Sequence, residues 1–220
     1  MTKYLAEFIG SFLLVFIGTG AAIINTTHQN VLGLQGVAAV FGLTVFFLVY
    51  LLGPLSGAHL NPAVSIANCV RGLLAPSTTC FYILVQLLGA LLASSVLYLL
   101  FPTAPHLGET LPSAGITISF IFEFLVTSLL FAVLIASERT KENLVTTSLL
   151  LGLLVYLGVV VAGPLSGGSF NPARSIGPAL ISGNYNGIWI YCTAPIAGAT
   201  LVALVYKLNR HLHHNSKITA

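Results

Sequence analysis

The chain has 220 residues, 56% of them hydrophobic and only 6% charged. Soluble domains carry roughly 25% charged residues, so this composition excludes a soluble globular fold and points to an all-α integral membrane protein. A net charge of +3 from eight basic residues scattered along the chain gives no patch of the kind nucleic acid requires.

Residues 4–24 form the first apolar stretch. Lys3 ahead of it and Gly18-Thr19-Gly20-Ala21-Ala22 near its end resemble a signal peptide. Yet Glu7-Phe8 has an internal twin, Glu123-Phe124. A cleaved leader would have no such twin, so 4–24 is read as a span. Asn25-Thr26-Thr27 fits the glycosylation triplet, which is too common to carry weight. Further spans are predicted at 34–52, 80–101, 116–136, 144–162 and 187–206. All six are long enough for the ~30 Å of hydrocarbon that about 20 residues cross. Glycines inside the spans, such as Gly42, Gly89, Gly152 and Gly198, predict close helix packing.

Two shorter pieces follow the second and fifth spans. Gly53-Pro54-Leu55-Ser56-Gly57-Ala58-His59-Leu60-Asn61-Pro62-Ala63 recurs 110 residues later as Gly163-Pro164-Leu165-Ser166-Gly167-Gly168-Ser169-Phe170-Asn171-Pro172-Ala173. Ten of the fifteen positions from 53 to 67 are identical in 163 to 177, so the chain is two copies of one unit. Asn is a preferred N-cap and Pro a preferred first helical residue, which predicts helices at about 61–71 and 171–181. Ten helical residues cover about 15 Å, so two pieces end to end cover about 30 Å. Irregular backbone at membrane depth must be buried in protein or line a watery cavity. The two pieces are therefore expected to enter from opposite faces and meet at the midplane.

Three spans per unit make the second copy inverted. The expected architecture is a single membrane domain over 1–220, with inverted repeat one at about 1–105, repeat two at about 114–210 and a short cytoplasmic tail at 211–220. Lys3, Arg71, Arg139, Lys141, Lys207, Arg210 and Lys217 then share one side, and the loops 25–33 and 102–115 carry no Lys or Arg. The positive-inside rule places both termini in the cytoplasm.

Functional residues follow from the same chemistry. A capping Asn uses its side-chain oxygen on its own helix and keeps its NH2 to donate. Asn61 and Asn171 facing one point, backed by two positive helix ends, welcome a water oxygen and repel a cation. The alternative is that both only cap helices. Arg174 opposes its helix dipole and sits close to the membrane interior, where Val64 stands in the first repeat. It reads as a cation-repelling constriction, the alternative being a lipid anchor. Glu7 and Glu123 are the only acids inside spans; they brace the irregular loops or carry protons. His59 is expected to present its backbone carbonyl to the pore, with Gly57, Ala58, Gly167 and Ser169 as further lining. Its side chain is read as structural, with pH gating through it or the tail histidines left open. Cys69, Cys80 and Cys192 show no metal or disulfide spacing and read as small core side chains. His211-Leu212-His213-His214 lacks an accompanying carboxylate or cysteine, so no metal is expected.

On Ser56-Gly57-Ala58-His59-Leu60-Asn61-Pro62-Ala63-Val64 and Asn171-Pro172-Ala173-Arg174-Ser175, with the Glu7 and Glu123 helices, the chain resembles the aquaporin (major intrinsic protein) family over nearly its whole length. The resemblance implies a homotetramer in the plasma (inner) membrane with one pore per subunit. Flow is passive, through a pore that excludes ions and protons, without cofactor and without enzyme activity. It also implies a four-residue filter: Phe41, Val159, Gly168 and Arg174. Strict water channels are similar in carrying His at the place of Val159, so the constriction is expected to be wider and less polar. Ser175 stands where glycerol facilitators typically carry Asp. Ser175, Ala179 and Tyr191 look like the water-channel side, while Cys192 replaces its usual Trp. Val at the fifth-span position is similar to nodulin-type and metalloid-permeating members. Water with glycerol, urea or arsenous acid is the expected cargo.

Two other classes share features with this reading. Inverted repeats and half-helix tips also occur in proton-coupled secondary transporters, with Glu7 and Glu123 as proton carriers. No other intramembrane charge could partner them, which favours the channel. A junction protein would need more adhesive surface than loops of about a dozen residues offer.

Overall fold

The computed structural model describes residues 1–216, with side chains through Arg210. The described residues form eight helices: α1 (Thr2–Thr27), α2 (Gly33–Ser56), α3 (Pro62–Val70), α4 (Pro76–Leu100), α5 (Ile116–Thr140), α6 (Leu144–Ser166), α7 (Pro172–Ser182) and α8 (Ile188–Ser216). Six are long and apolar enough to cross a membrane, while α3 and α7 are not. Several ends follow from local chemistry. Pro is first in α3, α4 and α7, where its missing N–H has no intrahelical partner to lose. The Asn143 side chain caps α6 by accepting from Thr146 N.

Two helix ends differ from expectation. The apolar runs predict stops at 52 and 162, ahead of each Gly-Pro. Instead α2 and α6 run one turn further, through Pro54 and Pro164, to Ser56 and Ser166. The stop is set by Gly57 and Gly167, left-handed at φ 85° and 81°, whose N–H groups return to the carbonyls of Gly53 and Gly163. A glycine C-cap ends a helix more firmly than a proline near its last turn. The final helix also exceeds the expected 187–206 span and runs on to Ser216.

Packing follows a swapped pattern. Helix α1 lies on α4 and α2, as α5 lies on α8 and α6; α7 packs on α4, as α3 packs on α8; α2 meets α6, and α3 touches α7. Small residues make the closest crossings. A Cβ on Gly42 would fall 2.7 Å from the Gly152 carbonyl oxygen, and one on Gly152 would fall 2.6 Å from that of Gly42. Gly89 and Gly198 sit equally close to the carbonyls of Phe8 and Phe124. Such contacts drive association where lipid removes the hydrophobic force between helices. Not every span glycine does this: Gly10, Gly18 and Gly158 make room for the side chains of Leu60, Phe41 and Phe170.

Exposed leucines and other large apolar residues recur every four positions, as at Leu43, Phe47 and Leu51 or Leu149, Leu153, Leu157 and Val161. In water such stripes would aggregate; on membrane-spanning helices they suit an apolar surrounding. The polar side chains turn inward instead: Glu7, Glu123, Gln86, Ser65 and Ser175 are fully buried. Of the cysteines, all unpaired, Cys69 and Cys192 are half-buried but Cys80 is exposed, so the core reading fails for Cys80. The histidine run at 211–214 lies outside the described side chains.

Candidate pore and its two loops

The two Asn-Pro-Ala segments meet. Asn61 and Asn171 stand in extended backbone at φ −156° and −153°, and each side-chain oxygen accepts from the N–H of its own Ala63 or Ala173 at 2.9 and 3.0 Å. The amide nitrogens reach across the junction. Asn61 Nδ2 donates to the Phe170 carbonyl at 2.8 Å, and Asn171 Nδ2 to the Leu60 carbonyl at 2.7 Å. Sequence reasoning leaves both N–H groups of each NH2 to the pore; here one is spent tying the opposite loop, and one remains. The accepting carbonyls are turned by residues that rarely adopt this geometry, since Leu60 and Phe170 are left-handed at φ 52° and 56°. Non-glycine residues there cost about 1–2 kcal/mol each, strain that the surrounding bonds must hold.

The carboxylates supply those bonds. Glu7 accepts from Ser56 Oγ (2.7 Å), His59 N (2.9 Å), Leu60 N (2.7 Å) and Gln86 Nε2 (2.8 Å). Glu123 accepts from Ser166 Oγ (2.7 Å), Ser169 N (2.9 Å) and Phe170 N (2.6 Å). Two tyrosines, whose bracing role sequence reasoning missed, repeat the pattern. Tyr82 Oη donates to the Ser56 carbonyl and Tyr191 Oη to that of Ser166. Their near-repeat spacing was the available signal.

A cavity of about 120 Å³ runs past both asparagines. Near Arg174 it is lined by Phe41, Val159 and Gly168; near the other end by Gly57, Ala58 and His59; Ser169 lies between. Much of the remaining lining is apolar, with Leu14, Val45, Val49, Leu130, Leu151 and Val155. The lining also includes the polar side chains of His59, Asn61, Thr127, Ser169, Asn171 and Arg174. Pro62, Ala63, Pro172, Ala173 and Gly167 do not line it. The first four are buried helix starts, and Gly167 caps α6 against Thr110.

Arg174 is 4% exposed, so it does not reach out to lipid. Its Nη1 donates to the Gly108 carbonyl at 2.7 Å, and its guanidinium carbon lies 5.1 Å from the Phe41 ring centroid. Gly108 belongs to the 101–115 loop, whose role no local sequence signal discloses. Thr110 in the same loop bonds Ser175 Oγ at 2.7 Å. The His59 ring is held by Ser65 Oγ at 3.1 Å, Asn68 Nδ2 at 3.2 Å and an edge contact with Tyr82.

Six spans enclosing a passage at which two half-helix tips meet define a membrane channel. The family model described as Major intrinsic protein matches residues 1–206. Aquaporin NIP1-2 of Arabidopsis thaliana is 40% identical, covering 96% of this chain and 75% of its own length. Nodulin-26 of Glycine max is 38% identical over 96% and 79%. The X-ray structure of the aquaglyceroporin from Plasmodium falciparum superposes with a TM-score of 0.85 at 27% identity, over 94% of this chain and 95% of that one. The chain belongs to the major intrinsic protein family. It is a passive channel for water and small solutes, not an enzyme.

Proposed function

We propose that Phe41, Val159, Gly168 and Arg174 form the selectivity filter, and that it passes glycerol-sized neutral solutes such as glycerol, urea or undissociated arsenous acid as well as water. The observation that carries this reading is the lining beside Arg174: Val159 and Gly168 contribute no donor and little bulk. Only Arg174 then supplies hydrogen bonds from a side chain, and Phe41 supplies an apolar face suited to a carbon skeleton. A similar solved protein is an aquaglyceroporin, which agrees with that width.

Ions and protons are excluded by the same parts. Arg174 places a buried cation on the path, the two helix N-termini each add about half a positive charge, and stripping an ion of water costs several kcal/mol. Glu7 and Glu123 act as loop braces; both are fully buried and each of their carboxylate oxygens accepts at least one hydrogen bond from the loop they hold, which disfavours proton-coupled transport. The domain comprises two inverted repeats, about 1–105 and 114–210, and assembles as a homotetramer in the plasma (inner) membrane with both termini cytoplasmic. Arg71, Glu138 and Lys207 cluster at one end, where Arg71 pairs with Glu138 and Lys207 Nζ bonds the Val70 carbonyl; this supports a shared basic side.

Stopped-flow light scattering on reconstituted protein tests the reading. Water, glycerol, urea and arsenous acid should all cross without saturation and without a proton gradient. Swelling in response to water gradients alone would refute the wide filter, and saturation with proton coupling would favour a transporter.

A further inference from the structure

Two of the four filter positions, Phe41 and Arg174, rest directly or through Gly108 on residues of α1. Phe41 has two close neighbours. One face meets the Arg174 guanidinium at 5.1 Å. The ring also lies so close to Gly18 that a Cβ there would stand 2.3 Å from Cε1 and 2.5 Å from Cδ1. Non-bonded carbons prefer separations of about 3.5–4.0 Å, so any side chain at 18 must displace something. The nearest atoms are the free end of a side chain rather than backbone, and the ring is what yields. The space open to it is the cavity that Phe41 already lines.

Thr19 backs the other wall in the same way. A Cβ on Gly108 would lie 2.4 Å from Thr19 Cγ2, and the Gly108 carbonyl is what holds Arg174 at 2.7 Å. Thr19 is fully buried and its hydroxyl has no hydrogen-bond partner, so it acts here by shape. The repeat does not require glycine at 18. The residue eleven after Glu123, as Gly18 is eleven after Glu7, is Leu134, and the counterpart of Phe41 is Leu151. Glycine thus occurs where the facing residue is an aromatic ring.

We propose that Gly18, supported by Thr19, is a specificity-determining position: its missing side chain lets the Phe41 ring retract from the passage and so sets the largest neutral polyol that passes. This rests on the reading of Phe41 and Arg174 as the constriction. Gly18 is a positioning residue, since it acts only through the ring.

The test reconstitutes the full-length wild type, Gly18→Ala, Phe41→Ala and the double variant in liposomes, and measures water and glycerol permeability for each. One methylene-sized intrusion discriminates by ~10-fold or more. Gly18→Ala should therefore lower the glycerol-to-water ratio about tenfold, and the double variant should show the ratio of Phe41→Ala. A ratio in Gly18→Ala within about twofold of wild type overturns the inference, as does a double variant that keeps the low ratio. If Gly18→Ala alone does not fold, the double variant must fold and match Phe41→Ala; its failure where Phe41→Ala folds also overturns it. A wild type that admits no glycerol refutes the wide filter separately. The Gly18 inference is then read in water permeability, which must fall in Gly18→Ala and recover in the double variant.

Discussion

The two ends of the passage are built from the same repeat and differ in chemistry. At one end stand Phe41, Val159, Gly168 and Arg174. Their counterparts 110 residues away are Leu151, Val49, Ala58 and Val64, and all eight line the same cavity. Duplication therefore supplied two rings, of which only one carries a charge. Both loops are braced by a buried glutamate and a tyrosine hydroxyl. The scaffold is held in common, and the rings differ in charge at one position, where Arg174 stands against Val64. The bracing is itself uneven: Glu7 has a fourth donor, Gln86, where the corresponding region of α8 carries Pro195.

The largest effect should come from breaking the shared part. Glu7→Gln and Glu123→Gln each turn an acceptor of backbone N–H groups partly into a donor, leaving buried donors unpaired at about 1–3 kcal/mol per group. Both should lower the midpoint of thermal unfolding in detergent, Glu7→Gln more because four donors converge on it. Equal shifts would show that Gln86 adds nothing.

Arg174→Val makes the two rings chemically alike. Removing the buried cation should raise proton leak about a hundredfold, a barrier change of ~3 kcal/mol, read with a pH dye inside proteoliposomes under a clamped potential. An unchanged leak would place the ion barrier wholly at the two asparagines. Val159→His sharpens the difference by adding a donor and bulk beside Arg174 only. Glycerol permeability should fall about tenfold relative to water, by the same stopped-flow assay. The smallest expected effect is that of Gln86→Leu, which trims the Glu7 brace to the three donors of Glu123. It should cost about 1 kcal/mol in thermal stability and leave the glycerol-to-water ratio unchanged.

How far the chain could be read without its structure is clearest at particular residues. The spans follow from the length of apolar runs, and the starts of α3 and α7 from Asn-Pro; both are local properties, so the linear sequence carries them. Repetition added a non-local hint, because two identical caps in one membrane chain invite a meeting. It did not disclose that each asparagine gives one N–H to the opposite loop. Nor did it show that Gly57 and Gly167, rather than the preceding Gly-Pro pairs, end α2 and α6.

The sequence by itself determined a membrane-embedded, duplicated helical chain with two capped half-helices and one arginine out of pattern. Burial of charge and the hydrogen-bonding needs of a broken backbone leave few alternatives to that. Only the tertiary structure decided what holds the arginine and the ring beside it. The Gly108 carbonyl, the Thr19 methyl and the empty side of Gly18 come from segments distant in the chain, and a contact between two surfaces is a property of their approach, which neither segment encodes alone.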